Sequence, residues 1–424
     1  MAAPSSPVVS DLEPVWSGHP VGFCLLTHAP YQFAAYYDAE RRMTVAQRRL
    51  DETKWTFKRL PSLLGWDSHN YVTLALDRDL CLHVSGNMHN VPLIYFRSTK
   101  PLDAASLQQV KSMTGEREAH VTYPVLLKNK TGQLVFRYRD GGSGDGDDLY
   151  NVYDEKSTTW KKLLEGPLIA GEGERSAYAI PPKQGPDGRF HLLWVWRDTP
   201  DCATNHSLSY ARSDDLVRWT DSSGKEVKLP ITYRSGEIID PVPPGGGLIN
   251  MNRELGFDNE SRPVATYHKY DERGDLNVYA ARKEGTAWKI VKVSDWRDYH
   301  LEFSGGGSID LPVRVQAIEA IGNGRLTLGY RSDKGTGVWV LDEATLLPIP
   351  GAKPALRPSS PLPDILKSRS TFSGMQRKVC GDSGQPPKGV RYQLVWESLK
   401  ANRDKPREGP LPAPSMLRVV ALPP

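Results

Sequence analysis

The sequence predicts an all-β protein, specifically a seven-bladed β-propeller of four-stranded antiparallel blades. Three observations lead to this prediction. Short alternating or apolar runs, bounded by Gly, Asp, Asn and Pro, outnumber helical patterns along the 424 residues. One unit, a turn followed by a strand that ends in a polar residue, recurs seven times. The copies are spaced by about 60 residues, which is the length of a four-stranded blade rather than of a solenoid repeat.

The repeated unit is clear in five copies and degenerate in the first and the last. The copies lie at residues 38–48, 77–89, 130–140, 186–198, 258–268, 321–331 and 389–397. Further strands between the copies end in Trp-containing segments. A blade cannot bury both of its faces alone, so we expect Trp55, Trp160, Trp219 and Trp288 to fill the wedges between neighbouring blades.

The whole chain, residues 1–424, is predicted to form this one domain. Residues 1–18 are expected to be an N-terminal strap, and residues 404–424 a Pro-rich tail at the periphery. The pattern at residues 101–112 is the one that indicates a helix.

Composition excludes several classes of protein. Hydrophobic residues make up 39% and charged residues 25% of the chain, which is typical of a folded globular protein. The net charge of +4 is spread along the chain without a basic run, so no nucleic-acid partner is expected. No apolar run is long enough to cross a membrane. The protein is expected to be a monomer.

The protein is predicted to be secreted or periplasmic. Three Asn-x-Ser/Thr sequons begin at Asn129, Asn205 and Asn259. The chain as given shows no basic segment followed by an apolar run, so it carries no signal peptide.

Polar residues at the ends of the repeated strands nominate a site, because equivalent positions of successive blades converge on one face. They are His89, Arg139, Arg197, His268 and Arg331. Such a ring suits an acidic ligand. The alternative is that each Arg pairs with the Asp that follows it, as in Arg139-Asp140 and Arg197-Asp198.

Two segments stand out by their chemistry. His69 and His89 lie among small polar residues rather than on apolar faces, so both rings are expected to be accessible. Tyr123 and Arg139 fall on consecutive strands of one blade. A guanidinium beside a phenol lowers the pKa of that phenol towards the range of a working base.

These segments resemble those of the propeller polysaccharide lyases, which comprise the ulvan lyases and the L-rhamnosyl-(1→4)-D-glucuronate lyases. The likeness spans about residues 60–310 and rests on phrases in the same order: SHNYVTLALDRD, SGNMHNVPLIYFRS, FRYRDGGSGDGDDLYNVYD, WVWRDTPDCATNHSLSYARS and DPVPPGGGLIN. The family's pattern of two His, a Tyr and an Arg about 16 residues later is filled by His69, His89, Tyr123 and Arg139. A further Tyr of the family matches Tyr178 more loosely.

The resemblance implies β-elimination at the L-rhamnose-(1→4)-D-glucuronate bond of an acidic polysaccharide, either ulvan or a gum-arabic-type arabinogalactan. Arg139 would neutralise the uronate carboxylate, and Tyr123 would transfer protons as base, acid or both. His69 and His89 would complete the relay or hold the carboxylate, and either Tyr123 or His69 would be the base. The residues expected to bind substrate are Asn70, Asn87, Arg175, Tyr178, Arg197 and Lys269.

Catalysis of this kind requires no cofactor, but two structural metal sites are conceivable from the sequence. Cys202 and His206 have a C-x3-H spacing, and His268 could approach them to hold a structural zinc. Residues 141–148 contain enough carboxylates for calcium, but they lack a specific ligand spacing, and the pattern favours an acidic hairpin tip.

Two rival functions remain open on the same fold. A rhamnosidase-like or sialidase-like glycoside hydrolase would need a pair of carboxylates, for which Asp67, Asp140 and Asp198 are available. The sialidase Asp-box is not cleanly present. A non-catalytic glycan-binding propeller would need only the Arg ring and exposed Trp side chains.

Overall fold

The computed structural model describes residues 6–354 and 368–423, and this part of the chain is built almost entirely of β-strands. Its two helical elements are single 3₁₀ turns, Ala104–Ser106 and Cys202–Thr204. None of the described helices is long and apolar enough to span a bilayer. The all-β prediction is confirmed, and the count of seven blades stays a prediction.

The first two sheets of the chain are antiparallel meanders of four strands each. The first contains β2 (Cys24–His28), β3 (Tyr31–Tyr37), β4 (Arg42–Arg49) and β5 (Thr56–Leu63). The second contains β6 (Val72–Leu76), β7 (Leu82–Gly86), β9 (Tyr95–Ser98) and β10 (Leu107–Gln109).

The next sheet has eleven strands and consists of two meanders joined by a short parallel contact between Gly146 and Ser176. The first meander contains β8 (His89–Val91), β11 (Val121–Lys128), β12 (Leu134–Gly142), β13 (Asp145–Asp154) and β14 (Thr159–Lys162). The second contains β15 (Ser176–Ala179), β16 (Lys183–Gln184), β17 (Phe190–Arg197), β18 (Asn205–Ser213), β19 (Trp219–Thr220) and β20 (Glu237–Asp240).

An eight-stranded sheet follows, and it again joins two meanders by one parallel contact, between Phe257 and Glu319. The first contains β21 (Arg253–Phe257), β22 (Pro263–Tyr270), β23 (Leu276–Glu284) and β24 (Ala287–Lys292). The second contains β25 (Arg314–Val315), β26 (Glu319–Gly322), β27 (Arg325–Ser332) and β28 (Gly335–Asp342).

The last sheet is formed by both ends of the chain. Its order is β29 (Gln376–Gly381), β30 (Arg391–Ser398), β31 (Ser415–Leu422) and β1 (Val8–Val15). The prediction of a peripheral tail is therefore wrong for β31, whereas β1 is the outer strand of the sheet and is mostly exposed or half-buried. β31 lies between β30 and β1, and Leu417 in it is completely buried, so the ends of the chain close the fold.

Leu417 provides a test of this closure. We expect Leu417→Ala to lower the free energy of unfolding by about 2–5 kcal/mol, because it leaves a cavity in the core beside the paired termini. Met416→Ala on the same strand removes a half-buried side chain and should cost about 1 kcal/mol or less. Denaturant unfolding measures both values, and equal small losses would mean that the tail is indeed peripheral.

Each copy of the repeated sequence unit contains a strand. Six of them supply the second long strand of their meander, namely β7, β12, β17, β22, β27 and β30. This count leaves out the short β8 and takes β15 with β16, and β25 with β26, as one interrupted first strand each. The degenerate copy at residues 38–48 instead supplies β4, the third strand, so its match to the repeat is displaced by one strand. The helix expected at residues 101–112 is wrong, since Leu107 is buried and β10 pairs with β9 there.

Consecutive meanders share their hydrophobic cores. One cluster joins Tyr95 of the second sheet to Phe136 and Trp160 of the third, where the Trp160 indole donates to Tyr95 Oη at 3.1 Å. Trp288 packs across the next boundary against Tyr210, with ring centroids 5.3 Å apart. Trp55 is buried and donates to Ser10 Oγ in β1. Three of the four predicted Trp side chains thus lie between sheets, and Trp219 is buried in the cluster that joins the two meanders of the third sheet.

Candidate active site

A cavity of about 660 Å³ opens where the first strands of successive meanders meet. Its lining residues include Gly22, His69, Tyr71, Tyr123, Arg139, Tyr178, Arg253, Arg314 and Lys378. All but Arg139 belong to the first strand of a meander or to the loop that precedes it. Of the five polar residues that the repeat predicted to converge on one face, Arg139 is the one that lines this cavity, and the other lining residues come mainly from first strands instead.

The four predicted catalytic side chains form one cluster, of which His69, Tyr123 and Arg139 line the cavity and His89 lies directly behind them. The rings of His69 and His89 have centroids 4.5 Å apart, and each lies 5.7 Å from the ring of Tyr123. The guanidinium carbon of Arg139 is 4.8 Å from the centroid of the Tyr123 ring.

Strand register explains why three of these residues meet. His89 at the start of β8 and Arg139 in β12 both pair with Thr122 of β11, on opposite sides. Tyr123 follows Thr122 directly, at a register shift in β11 that extends to Val125. His89, Tyr123 and Arg139 are therefore on three adjacent strands at one level.

The backbone of Tyr123 is in the left-handed region, with φ of 55°. This conformation is unfavourable for a residue with a Cβ, and more so before a proline, here Pro124. The cost is of order 1–3 kcal/mol, and such strain is concentrated at functional sites. The bulge is what turns the Tyr123 ring towards the two histidines.

Asp67 holds both histidines from behind. One carboxylate oxygen is 2.8 Å from Nδ1 of His69, and the other is 2.5 Å from Nδ1 of His89. The first oxygen also accepts the main-chain N–H of His69, which is an Asx turn. Burial by itself would raise the pKa of Asp67, but hydrogen bonds from His69 and His89 hold it well below its usual range. Sequence reasoning considered Asp67 only for a hydrolase, although the Asp-x-His spacing was a usable signal.

His69 has a second carboxylate at the same nitrogen, since Asp404 Oδ2 is 3.3 Å from its Nδ1. Burial lowers the pKa of His69, but the contacts with Asp404 and Asp67 outweigh it and raise that pKa to about 9. His69 is therefore an imidazolium at neutral pH. With Nδ1 turned to the two carboxylates, its Nε2–H is left for the cavity.

Arg139 is the strongest anion-binding group of the cluster. Its side chain is 1% exposed, its Nε donates to the Gly141 carbonyl at 3.2 Å, and neither Nη atom has a hydrogen-bond partner among the described residues. The alternative that it pairs with Asp140 does not hold, because Asp140 is bound by Arg117 at 2.6 Å. A buried guanidinium without a counter-charge is ready to bind a carboxylate.

The two tyrosines of the site have opposite pKa shifts. Burial and the neighbouring Tyr178 raise the pKa of Tyr123, although Arg139 opposes them, so the prediction of a lowered Tyr123 pKa is wrong. Burial also acts to raise the pKa of Tyr178, but the guanidinium groups of Arg139 and Arg197 outweigh it and lower that pKa. These groups lie 4.9 and 5.3 Å from the Tyr178 ring, and its hydroxyl donates to Ser143 Oγ at 2.7 Å.

Of the six predicted substrate-binding residues, Tyr178 alone is among the residues that line the cavity. The cations of Arg175 and Lys269 are occupied by Asp198 at 3.4 Å and Asp240 at 2.6 Å. Arg197 donates to main-chain carbonyls of Thr199 and Pro200. The side chain of Asn87 donates to Ser62 and Leu63, and the main-chain carbonyl of Asn70 accepts from Tyr37.

Cations that the sequence analysis did not select line the cavity instead. Arg253, Arg314 and Lys378 have no ion pair within residues 6–354 and 368–423. Burial lowers the pKa of Arg253 to about 10. The one acidic side chain in the lining, Asp310, is paired with Lys400 at 3.1 Å. The cavity therefore attracts anions.

The two other members of the predicted polar ring lie elsewhere. His268 is completely buried, and its Nδ1 faces the Gly247 carbonyl at 2.8 Å. Burial lowers the pKa of His268 to about 4, so the ring is neutral at pH 7. Arg331 is exposed and pairs in register with Arg314.

The predicted zinc ligands Cys202, His206 and His268 are not gathered. His206 Nε2 contacts Asp198 at 3.0 Å, and the described residues contain a single group of three potential ligands within reach of one ion, Asp67, His69 and His89. Two ligands of a tetrahedral zinc lie roughly 3.3 Å apart, so the 2.5 and 2.8 Å contacts of Asp67 are hydrogen bonds instead. In the acidic segment, Arg117 neutralises Asp140 and Asp147.

Comparison with known proteins identifies the family. The model of a family described as BNR repeat-containing matches residues 31–296, which is more than half of the chain. The chain belongs to this family. No curated protein matches this BNR repeat protein in sequence.

Solved structures share the fold of the BNR repeat protein. The polysaccharide lyase Uly1 superposes with a TM-score of 0.63 at 13% identity, over 100% of both chains. A PL25 ulvan lyase superposes with a TM-score of 0.62 at 12% identity, over 93% of this chain and 97% of that one, and it has also been solved bound to -[GlcA(1-4)Rha3S]-. The resemblance to propeller polysaccharide lyases is confirmed at the level of the fold.

Proposed function

We propose that this protein is a polysaccharide lyase that cleaves the L-rhamnose-(1→4)-D-glucuronate bond of an acidic polysaccharide by β-elimination. The observation that carries the proposal is Arg139, a buried and uncompensated cation placed over Tyr123 and next to a histidine pair. The fold shared with two polysaccharide lyases supports it, as does the cationic lining of the cavity. We further propose that the chain is a single seven-bladed propeller, secreted or periplasmic, and that it acts as a monomer.

Elimination first requires a charge to be neutralised. The C5 proton of a uronate is only weakly acidic, and the carboxylate beside it resists a second negative charge. Arg139, with two free Nη donors, binds this carboxylate. The His69 imidazolium adds a second cation through Nε2–H, so the developing enolate is stabilised from two sides.

Proton transfer then uses the remaining two side chains. His69 lies beside two carboxylates, whereas His89 has Asp67 as its carboxylate partner among the described residues. With Nδ1–H donated to Asp67, His89 presents the lone pair of Nε2 and removes the C5 proton. Burial keeps Tyr123 protonated, and its hydroxyl donates a proton to the leaving O4 as the C4–O4 bond breaks and the C4=C5 bond forms.

Tyr178 is a second candidate for the base, because two guanidinium groups lower its pKa.

The structure disfavours the hydrolase alternative. Asp140 and Asp198 are committed to Arg117 and to His206 with Arg175, and neither carboxylate lines the cavity. No step of the elimination is assigned to a metal.

The function is tested by following ultraviolet absorbance after the purified protein is mixed with ulvan in one cuvette and gum arabic in another. We expect absorbance to rise as the conjugated 4,5-unsaturated uronate forms. A rise with ulvan alone identifies a lyase of sulfated chains, and a rise with gum arabic alone identifies a lyase of terminal rhamnose. Free rhamnose without a rise in absorbance would establish a hydrolase, and binding without any product would establish a glycan-binding protein.

A further inference from the structure

The C-terminal segment delivers an acidic side chain to the back of the candidate active site. Asp404 lies between β30 and β31, in a stretch of two residues, Arg403 and Asp404, with positive φ of 53° and 60°. Its carboxylate is within hydrogen-bonding or ion-pair distance of Ser68, His69 and Ser308. We propose that Asp404 is a positioning residue that fixes the His69 ring with Nδ1 inward and Nε2–H directed into the cavity.

The contacts of Asp404 are too many for a solvated surface carboxylate. Oδ1 accepts from the main-chain N–H of Ser68 at 3.0 Å and lies 2.7 and 2.6 Å from the hydroxyls of Ser68 and Ser308. Oδ2 accepts the main-chain N–H of Ser308 at 2.7 Å. The side chain is 11% exposed, and these hydrogen bonds together with the contact to His69 lower the pKa of Asp404 far below its usual range against the effect of burial.

Asp67 alone does not fix the orientation of the His69 ring. Its two oxygens are divided between the rings of His69 and His89, so one negative charge is shared by two imidazoles. Asp404 gives His69 a carboxylate of its own. The rings of His89 and Tyr123 also lie beside His69. Asp67 and Asp404 both face a further histidine, His19, and burial lowers the pKa of His19 to about 4.

Ser68 and Ser308 make the same carboxylate a brace between distant parts of the chain. Ser68 directly precedes His69, and Ser308 lies in the loop before β25. The two hydroxyls are 2.7 Å apart, and both line the cavity. Rigid support of this kind is what an outer group supplies to a catalytic ring, and its loss typically costs about 10–100-fold in activity.

This inference deepens the proposed function and depends on it for its kinetic test. We expect Asp404→Asn, which keeps the shape of the side chain, to lower kcat about 10–100-fold with a smaller change in KM. Because one negative charge is lost, the alkaline limb of the pH–rate profile should move from near pH 9 to lower pH, as the His69 imidazolium deprotonates earlier. Asp404→Glu should recover part of the activity.

Asp310→Asn is the matched control. Asp310 lines the same cavity but is paired only with Lys400, so the alkaline limb should not move in this variant. An Asp404→Asn enzyme with the kcat and alkaline limb of the wild type would overturn the inference.

A second readout does not depend on turnover. Nuclear magnetic resonance of the ten histidine rings, with His69 assigned from the spectrum of His69→Gln, gives the pKa of His69 directly. We expect it to be lower in Asp404→Asn than in the wild type. If neither polysaccharide yields an unsaturated product while this shift is found, the proposed function fails and the positioning role stands. An unchanged His69 titration would overturn the positioning role whatever the activity.

Discussion

Arg139→Gln is expected to lower kcat/KM by on the order of 10³-fold, because the carboxylate of the substrate loses the buried and uncompensated guanidinium that lies beside Tyr123. Gln retains a polar side chain of similar reach but neither the charge nor the two parallel donors that match a carboxylate. Initial rates of unsaturated uronate formation, measured over a range of substrate concentrations, give the ratio.

Stability separates this role from a structural one. A buried cation without a counter-charge destabilises the folded state, so we expect the Tm of Arg139→Gln to be equal to or higher than that of the wild type. Arg117→Gln is the control, since Arg117 is on the same meander, pairs with Asp140 and does not line the main cavity. It should retain full activity. A large drop in the Tm of Arg139→Gln, or activity near that of the wild type, would contradict the assignment.

Period and spacing were sufficient to predict one strand in each repeated unit. The six second strands from β7 to β30, five of them in clear copies and β30 in a degenerate one, coincide with the repeated units because each combines a tight turn with an alternating run that must pack against the next meander. The helix at residues 101–112 failed because pairing of Leu107 in β10 with β9 prevailed over a weak local pattern. The closing strand β31 was not predicted, because the Pro-rich composition is confined to residues 404–414 and does not describe the buried strand after them.

The site itself was predicted in part. His69, His89, Tyr123 and Arg139 were found because their chemistry stands out locally and because they fill the pattern of the family that these segments resemble. Asp404 was not, because it reaches His69 from 335 positions away and no local pattern marks it. The pKa shifts of the two tyrosines could not be predicted from their spacing to Arg139, because they depend on what surrounds each phenol. Burial raises the pKa of Tyr123, and Arg197 acts together with Arg139 to lower the pKa of Tyr178.

Tyr123→Phe is expected to lower kcat by about 10²–10⁴-fold with little change in KM, because it removes the hydroxyl that donates a proton to the leaving oxygen. The aromatic ring stays, so its packing against His69, His89 and Arg139 should keep the fold intact. Tyr392→Phe, at a buried phenol outside the cavity, is the control for loss of a hydroxyl and should leave turnover unchanged.

Tyr178→Phe completes the comparison, because it distinguishes the two phenols that flank Arg139. If Tyr123 is the acid and His89 the base, Tyr178→Phe should lower turnover less than Tyr123→Phe does. A well-folded Tyr123→Phe enzyme with near-normal turnover would remove Tyr123 from the mechanism. If Tyr178→Phe is then the inactive variant, Tyr178, whose pKa is lowered by Arg139 and Arg197, is the proton-transferring group. Elimination then proceeds through the Tyr178 phenolate as the base rather than through the histidine pair.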